Sequence, residues 1–341
     1  MKNLLMLLFF LGVVFSGNTQ NHPGNLNLIK KTIIGGEGGW DYLSVSSEDR
    51  HLYLSHSNQV EVLNVDTHEK IGVISDTKGV HGIVALPKVG KGFITSGATN
   101  SVIVFDTKSL AKVAEIPAGE NPDALLYDNY SKRIFIFNHK GGSVTAIDIA
   151  TLKPLGTITL GGSAAEAGVT DTKGTIYVNL EDLSEIVTFD AKTLEVKDRW
   201  KVAPGEEPTG LAIDIKNNLL FSVCKNKKMV VLNSKNGEFI ADIPIGSRCD
   251  GVVFDAPSKT AYSSNGEGTI TVVHEDSPTQ FSVSETIKTD LGARTIAIDP
   301  KTRHIFTMTA QYGETPPKTE ENPRPRPKIL PDSFAVYEFG N

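Results

Sequence analysis

The stretch NPDALLYDNYSKRIFIFNHKGGSVTAIDIATLKPLGTITLGG, residues 121–162, contains four apolar runs of four to seven residues and none of helical length. Ala124–Tyr127, Arg133–Phe137, Ser143–Ile147 and Pro154–Leu160 read as strands, because each is short and bounded by turn formers. The intervening Asp128-Asn129-Tyr130-Ser131, Asn138-His139-Lys140-Gly141-Gly142 and Asp148-Ile149-Ala150-Thr151 hold residue types that accept turn geometry. The stretch is therefore one unit of four strands joined by tight turns.

The unit recurs along the chain. Its second-strand aromatic, Phe135, has counterparts at Tyr53, Phe93, Tyr177, Phe221, Tyr262 and Phe306. In six of the seven units this aromatic follows by 12 positions the residue that opens the first strand: Asp41, His81, Asp123, Thr209, Asp250 and Arg294. Glu166 precedes Tyr177 by 11. Successive opening residues lie 40 to 44 positions apart, the period of roughly 40 to 45 residues of a four-stranded propeller blade. The expected fold is all-β: a seven-bladed β-propeller of four-stranded blades. A polar residue also closes each third strand, at Asp66, Asp106, Asp148, Asp190, Asn233, His274 and Glu338. Asp and Asn at such a place accept hydrogen bonds from amides two residues on, so these positions read as turn caps rather than catalytic groups.

The ring is expected to close by exchange between its termini. The seventh unit stops at Asn341, after a third strand at Phe334–Tyr337, and lacks a fourth. The alternating segment Leu28–Ile34 precedes the first unit and would supply it, removing an open sheet edge and placing Leu28, Ile33 and Ile34 in the core. From His274 to Glu338 is 64 residues, against 40 to 43 for the other intervals of this kind. The seventh blade thus carries an insertion at residues 310–332, whose prolines Pro316, Pro317, Pro323, Pro325 and Pro327 predict an extended, strand-free loop on the face where the channel opens.

Residues 1–20 have one basic residue, Lys2, then the uncharged apolar run Leu4–Phe15 with Val14 and Ser16 placed as small residues before a cut. This pattern reads as a secretory signal peptide and is short for a membrane span, leaving residues 21–341 as the propeller. An exported monomer, periplasmic or extracellular and not integral to a membrane, is expected. Removing Lys2 takes the formal charge from −6 to −7, which disfavours a nucleic acid held through its phosphates. Cys224 ends the fifth unit's second strand and Cys249 directly precedes the sixth unit's first strand, so repeat geometry makes them neighbours. In an oxidising compartment they could form a disulfide.

The units carry family-like signatures. Ile176-Tyr177-Val178-Asn179 is followed by Thr188-Phe189-Asp190, and a glycine-proline entry to the first strand appears in Gly119-Glu120-Asn121-Pro122 and Gly205-Glu206-Glu207-Pro208. Over residues 28–341 the chain resembles the YVTN-type β-propeller repeat proteins, the YncE-like group. Tyr53-Leu54-Ser55-His56, Tyr177-Val178-Asn179-Leu180 and Tyr262-Ser263-Ser264-Asn265 depart from the group's tetrapeptide. The resemblance implies a fold and an exported binding scaffold, and no particular reaction, because the group shares none.

Repeat symmetry narrows the place of a site. The innermost strand of each blade lines the channel, so Asp41, His81, Asp123, Glu166, Thr209, Asp250 and Arg294 are expected on its rim. A second circle lies three residues after each aromatic: His56, Ser96, Asn138, Leu180, Cys224, Asn265 and Thr309, with His139, Lys225 and Arg248 beside them. Candidate ligand-binding residues are Asp41, His81, Asp123, Glu166, Asp250 and Arg294, then His56, His139 and Arg248. Three readings stay open. A divalent cation could be coordinated by the carboxylates and imidazoles, with Arg294 and Arg248 counting against it; otherwise a polar or anionic small molecule could bind there. An enzyme of lyase or lactonase type could use His81 or His139 as base, oriented by Glu166 or Asp123. A protein-interaction scaffold could present the propeller face and the proline-rich loop to a partner. Gly35-Gly36-Glu37-Gly38-Gly39 precedes a strand and reads as a blade entry, not a phosphate cradle. Trp40 reads as packing between blades.

Overall fold

In the computed structural model, residues 26–341 except 321, 322, 324 and 326 are described. The signal-peptide reading of residues 1–20 lies outside them. Among the described residues are twenty-eight strands, β1 to β28 in chain order, arranged as seven four-stranded antiparallel sheets. Six sheets run in plain sequence order outward from an innermost strand. The innermost strands are β2 (Trp40–Ser46), β6 (Val80–Leu86), β10 (Pro122–Asp128), β14 (Ala165–Thr170), β18 (Pro208–Asp214) and β22 (Cys249–Asp255). The seventh sheet has the order β1-β28-β27-β26, with β26 (Ile296–Ile298) innermost, then β27 (Ile305–Thr309), β28 (Ala335–Gly340) and β1 (Asn27–Ile33). The fold is a seven-bladed β-propeller whose last blade is completed by the N-terminal strand. No helix among the described residues is long and apolar enough to cross a membrane.

The middle strands explain why the repeat is so apolar. In β11 (Arg133–Asn138), Ile134 and Ile136 pack into a cluster with Phe93 and Val104 of the second blade. The alternate residues Phe135 and Phe137 pack into a cluster with Val178 and Phe189 of the fourth. A strand buried on both faces reads as a continuous apolar run, not an alternation. The core is accordingly divided into seven clusters, each spanning one blade-to-blade seam. All seven repeating aromatics are buried, each contributing on the order of 1.5–3 kcal/mol.

Three details differ from the sequence reading. The closing pair is in register from Asn27 opposite Gly340 to Ile33 opposite Ala335, so β28 begins and ends later than Phe334–Tyr337. Leu28 and Ile33 are 52% and 67% exposed rather than core residues, because β1 is the outermost strand of its blade and nothing packs outside it. Ile34 does pack, against the seam between the seventh and first blades. In the first blade the turn is capped by Asn64, whose Oδ1 accepts from the amides of Asp66 and Thr67 at 2.9 Å; Asp66 instead pairs with Arg50. Asp106, Asp148, Asp190 and Asn233 do cap their turns. His274 and Glu338 do not. The strand holding His274 runs on to Ser277, and Glu338 is buried between two histidines, 2.7 Å from His304 Nδ1 and 3.1 Å from His68 Nε2. His68 belongs to the first blade and Thr32 of β1 contacts its Nδ1 at 2.8 Å, so this polar cluster ties the closing strands to the blade beyond the seam.

The backbone ladder, with polar contacts such as Thr32–His68, rather than apolar burial of Leu28 and Ile33 therefore closes the ring. Without β1 the fully buried strand β28 becomes an edge with unpaired amides and carbonyls. A chain beginning at Gly35 is expected to melt lower than the full propeller by at least roughly 3 °C, equivalent to about 2 kcal/mol or more for a domain of this size. Equal melting temperatures in scanning calorimetry would show that β1 is dispensable.

Candidate functional site

Five of the seven rim residues sit in a two-against-one bulge of their strand, Asp250 in a one-residue register shift, and Arg294 just before β26. In β2 the pairs Trp40↔His56 and Leu43↔Leu54 leave Asp41 and Tyr42 opposite the single residue Ser55. Equivalent two-against-one bulges occur in β6, β10, β14 and β18. Such bulges re-aim a side chain and free its backbone from the ladder. The freed groups are taken up by short polar side chains: Ser55 Oγ accepts from the Asp41 amide at 2.8 Å, and Thr95 Oγ1 from the Gly82 amide at 2.7 Å. Others reach the next blade. Thr95 donates to the Asp123 carbonyl at 2.5 Å, Asn179 to the Thr209 carbonyl at 2.9 Å, and Thr209 to the Cys249 carbonyl at 3.2 Å, while Thr295 donates to the Asp41 carbonyl. The innermost strands come so close that a Cβ on Gly210 would stand 2.8 Å from the Asp250 carbonyl oxygen. The rim is thus held at backbone level from blade to blade.

All seven rim residues, with His139 and Arg248, line one cavity of about 800 Å³ at the channel mouth. Two chains of polar contacts run round its wall. In the first, Arg294 pairs with Asp250 and, at 3.1 Å, with Asp41 Oδ1; Asp41 Oδ2 lies 2.5 Å from His81 Nδ1, which is 3.2 Å from Asp123 Oδ1. In the second, His139 Nδ1 is 3.0 Å from Glu166 Oε1, Glu166 hydrogen-bonds Glu181, and Glu181 pairs with Lys225. The two chains meet where Asp123, His139 and Glu166 bring one ligand atom each within 4.8 Å of one another, as do Asp41, His81 and Asp123. These five residues are the ones that could hold a metal ion.

The crowding shows in the proton affinities. Burial pushes the Asp123 carboxyl well above the usual range, and the neighbouring Asp41 charge adds to it. Glu166 is likewise raised well above its ordinary value by burial and by its hydrogen bond with Glu181. Burial also raises Asp250, against the pull of Arg294. For Asp41 burial is outweighed by the His81 hydrogen bond and the Arg294 charge, which hold it low; for Glu181 it is outweighed by Glu166 and Lys225. His81 is raised, its burial overcome by Asp41 and Asp123. Each carboxyl pair thus has one member favouring the acid and one the carboxylate, as like charges in one site require.

The circle three residues after each aromatic does not face the cavity. His56, Ser96, Asn138, Leu180, Cys224, Asn265 and Thr309 are all buried. His56 packs on Phe334 with ring centroids 4.3 Å apart, beneath the Gly35–Gly39 entry, where a Cβ on Gly36 would meet its ring at 2.8 Å. Strand alternation puts this position against the neighbouring turn, which Asn138 engages by accepting from the Gly119 amide at 3.1 Å. The next position, four after the aromatic, is the one that reaches the cavity, through His139, Glu181 and Lys225. Counting one residue further along the repeat finds Glu181, which the sequence reading missed.

Tyr42 was missed as well. The residue after each rim position is Gly82, Ala124, Ala167, Gly210, Gly251 or Thr295 in six blades, small because the channel narrows there. Tyr42 in the first blade instead packs against the cluster between the third and fourth blades, reaching across to line the cavity. Its phenol pKa lies well above normal through burial and the surrounding charges of Asp123, Asp250, Asp41 and Glu166. Cys224 and Cys249 are adjacent, yet both are thiols rather than a disulfide: Cys249 Sγ donates to the Cys224 carbonyl at 3.1 Å and Cys224 Sγ to that of Ser222 at 3.7 Å. Burial pushes both thiols up to about 12, as expected of inert structural cysteines. Trp40 packs on Phe334 and Tyr312, each 5.9 Å away, and the bridge Tyr312↔Ile329 pins the base of the insertion beside it.

No protein-family model matches the chain. No curated protein matches it either. Solved structures do. A chain of Kuenenia stuttgartiensis hydrazine synthase superposes with a TM-score of 0.69 at 13% identity, over 80% of this chain and 92% of that one. A chain from a crystal structure of the mitotic checkpoint complex superposes with a TM-score of 0.70 at 16% identity, over 90% of this chain and 95% of that one. At such identities the likeness is one of fold.

The raised Asp123 carboxyl has a consequence for stability. A folded pKa above the unfolded value of 3.8 means a contribution present at low pH and lost as pH rises through the folded value. Asp123→Asn removes the buried acid and is expected to raise the melting temperature at pH 7 by about 1.5 °C in chelator-containing buffer, roughly 1 kcal/mol, with little gain near pH 4. A variant that melts lower than the parent at pH 7 would contradict this electrostatic account.

Proposed function

We propose that the chain is an exported propeller, a member of the YVTN-type group, that binds a small cationic species or cation-bearing polar ligand in the channel-mouth cavity. The observation that carries this reading is an excess of acidic groups over cations, with Asp123 and Glu166 pushed toward the acid form by burial and for want of a cation. Five carboxylates, Asp41, Asp123, Glu166, Glu181 and Asp250, line the cavity, and Arg294 and Lys225 are the cations paired with any of them. Asp123 and Glu166 have histidines for neighbours and no Lys or Arg partner. Buried carboxylates without a cation are costly, and sites that persist in that condition are commonly completed by a ligand. Arg294 does not oppose a cation, contrary to the expectation from sequence, because Asp41 and Asp250 already occupy it.

Two histidine–carboxylate pairs, His81–Asp41 and His139–Glu166, favour a second reading, an acid–base enzyme of lyase or lactonase type in which the same cavity takes the substrate. Both readings require occupancy of the mouth by a polar molecule.

A thermal-shift series with Zn²⁺, Mn²⁺, putrescine and free arginine, each against chelator-stripped protein, tests the binding reading. At least one cationic probe is expected to raise the melting temperature by several degrees, about 3 kcal/mol at 100-fold excess over its Kd, and Asp123→Asn combined with Glu166→Gln is expected to abolish the shift. Four flat responses, or shifts that survive the double substitution, would contradict it. Export is tested by N-terminal sequencing of the native protein, which should begin near residue 21.

A further inference from the structure

We propose that the cavity mouth is a dinuclear divalent-cation centre in which Asp123 bridges two ions, one held also by Asp41 and His81 and the other by His139 and Glu166. The inference deepens the cation-binding reading and rests on it. The geometry is the first support. Each group of three ligand atoms lies within 4.8 Å, and Asp123 belongs to both groups. Within them, 3.2 Å for His81–Asp123 and 3.0 Å for His139–Glu166 compare with the edge of a coordination polyhedron, while His81 and Asp41 stand closer, at 2.5 Å, in a hydrogen bond that an ion would replace. Metal–nitrogen and metal–oxygen bonds near 2.1 Å give ligand–ligand edges of about 3.0 to 3.4 Å. A carboxylate has two oxygens and can offer one to each ion.

The second support is what these atoms lack. Asp123 Oδ1 and His139 Nδ1 are buried and have no hydrogen-bond partner, although each stands within 3.2 Å of a polar atom of the other ligand type. Polar atoms buried in this way call for an occupant that is not a neighbouring donor. The carboxylate ligands are also held from behind, Asp41 by Arg294 and Glu166 through Glu181 and Lys225, as the outer partners of metal ligands are.

The donor set fixes the class of ion. Two imidazoles with three carboxylates suit a first-row ion such as Zn²⁺ or Mn²⁺ better than Mg²⁺ or Ca²⁺, which take oxygen. Three carboxylates leave two such ions with a net charge of +1, and with protein ligands on one side alone. Asn121, Ser247 and Arg248 line the same cavity, and a water, hydroxide or small anion would complete the centre.

The test is metal stoichiometry on chelator-stripped full-length protein, by calorimetric titration with Zn²⁺ and by electron paramagnetic resonance with Mn²⁺. The expected result is two ions per chain and a spin-coupled Mn²⁺ pair. His81→Gln and His139→Gln should each leave one ion, Asp123→Asn should weaken both sites by at least about 100-fold, and His304→Gln, outside the mouth, should still bind two. Circular dichroism shows which variants are folded, and the two histidine variants suffice if Asp123→Asn is not. A single ion per chain, or two ions retained in both His81→Gln and His139→Gln, would overturn the centre. If neither metal binds but putrescine still stabilises the protein, the dinuclear centre falls while the cationic-ligand reading stands; if none of these probes binds, both fall.

Discussion

Seven sheets packed round one axis must bring their innermost strands into backbone contact, and everything at the channel mouth follows from that. The closeness leaves little room after the rim position in six blades, hence Gly82, Gly210 and Gly251, where a Cβ would press on the next blade. It also requires the ladder to be relieved, hence the bulges that turn Asp41, His81, Asp123, Glu166 and Thr209 toward the opening. Hydroxyl and amide side chains of one blade then fasten the carbonyls of the next, so rim residues far apart in sequence are fixed in mutual geometry. A site built this way is preorganised, because Asp41, His81, Asp123 and Glu166 ride on rigid strands and His139 on the tight turn that directly follows one.

The same convergence creates the electrostatic problem that gives the mouth its chemistry. Repeat symmetry places like residues at like positions, and here it places carboxylates. The first blade's Tyr42 reaches across to the seam between the third and fourth blades and lines the cavity, an apolar surface beside which charge interactions are stronger. Arg294 and Lys225 relieve one side of the ring. The side between His81 and Glu166 is left with unfilled acceptors, and a cation is the simplest species that satisfies them together.

Much of this was legible in the sequence because a period is a long-range signal. The spacing of Tyr53, Phe93, Phe135 and their counterparts specifies blade number, and the missing fourth strand after Phe334 specifies closure. Rim residues followed from the same count. What escaped depended on direction rather than position. His56 and Glu181 differ by one place within the repeat, and one place on a strand is the difference between pointing into a packed turn and pointing into the cavity. Leu28 and Ile33 alternate like core residues, but whether an outermost strand has anything outside it is a property of the assembled ring. Tyr42 broke a small-residue pattern, a signal that becomes readable once the neighbouring positions are known to be crowded. The cysteines were correctly neighbours, while the orientation of each sulfur toward a carbonyl is set by local packing.

The most direct measurement is anomalous diffraction, at the zinc edge, from crystals of the full propeller grown with Zn²⁺. The account predicts two peaks flanking the Asp123 carboxylate, one also contacting His81 and the other His139. A mouth containing ordered water alone, with zinc bound only to histidines elsewhere on the surface, would contradict it.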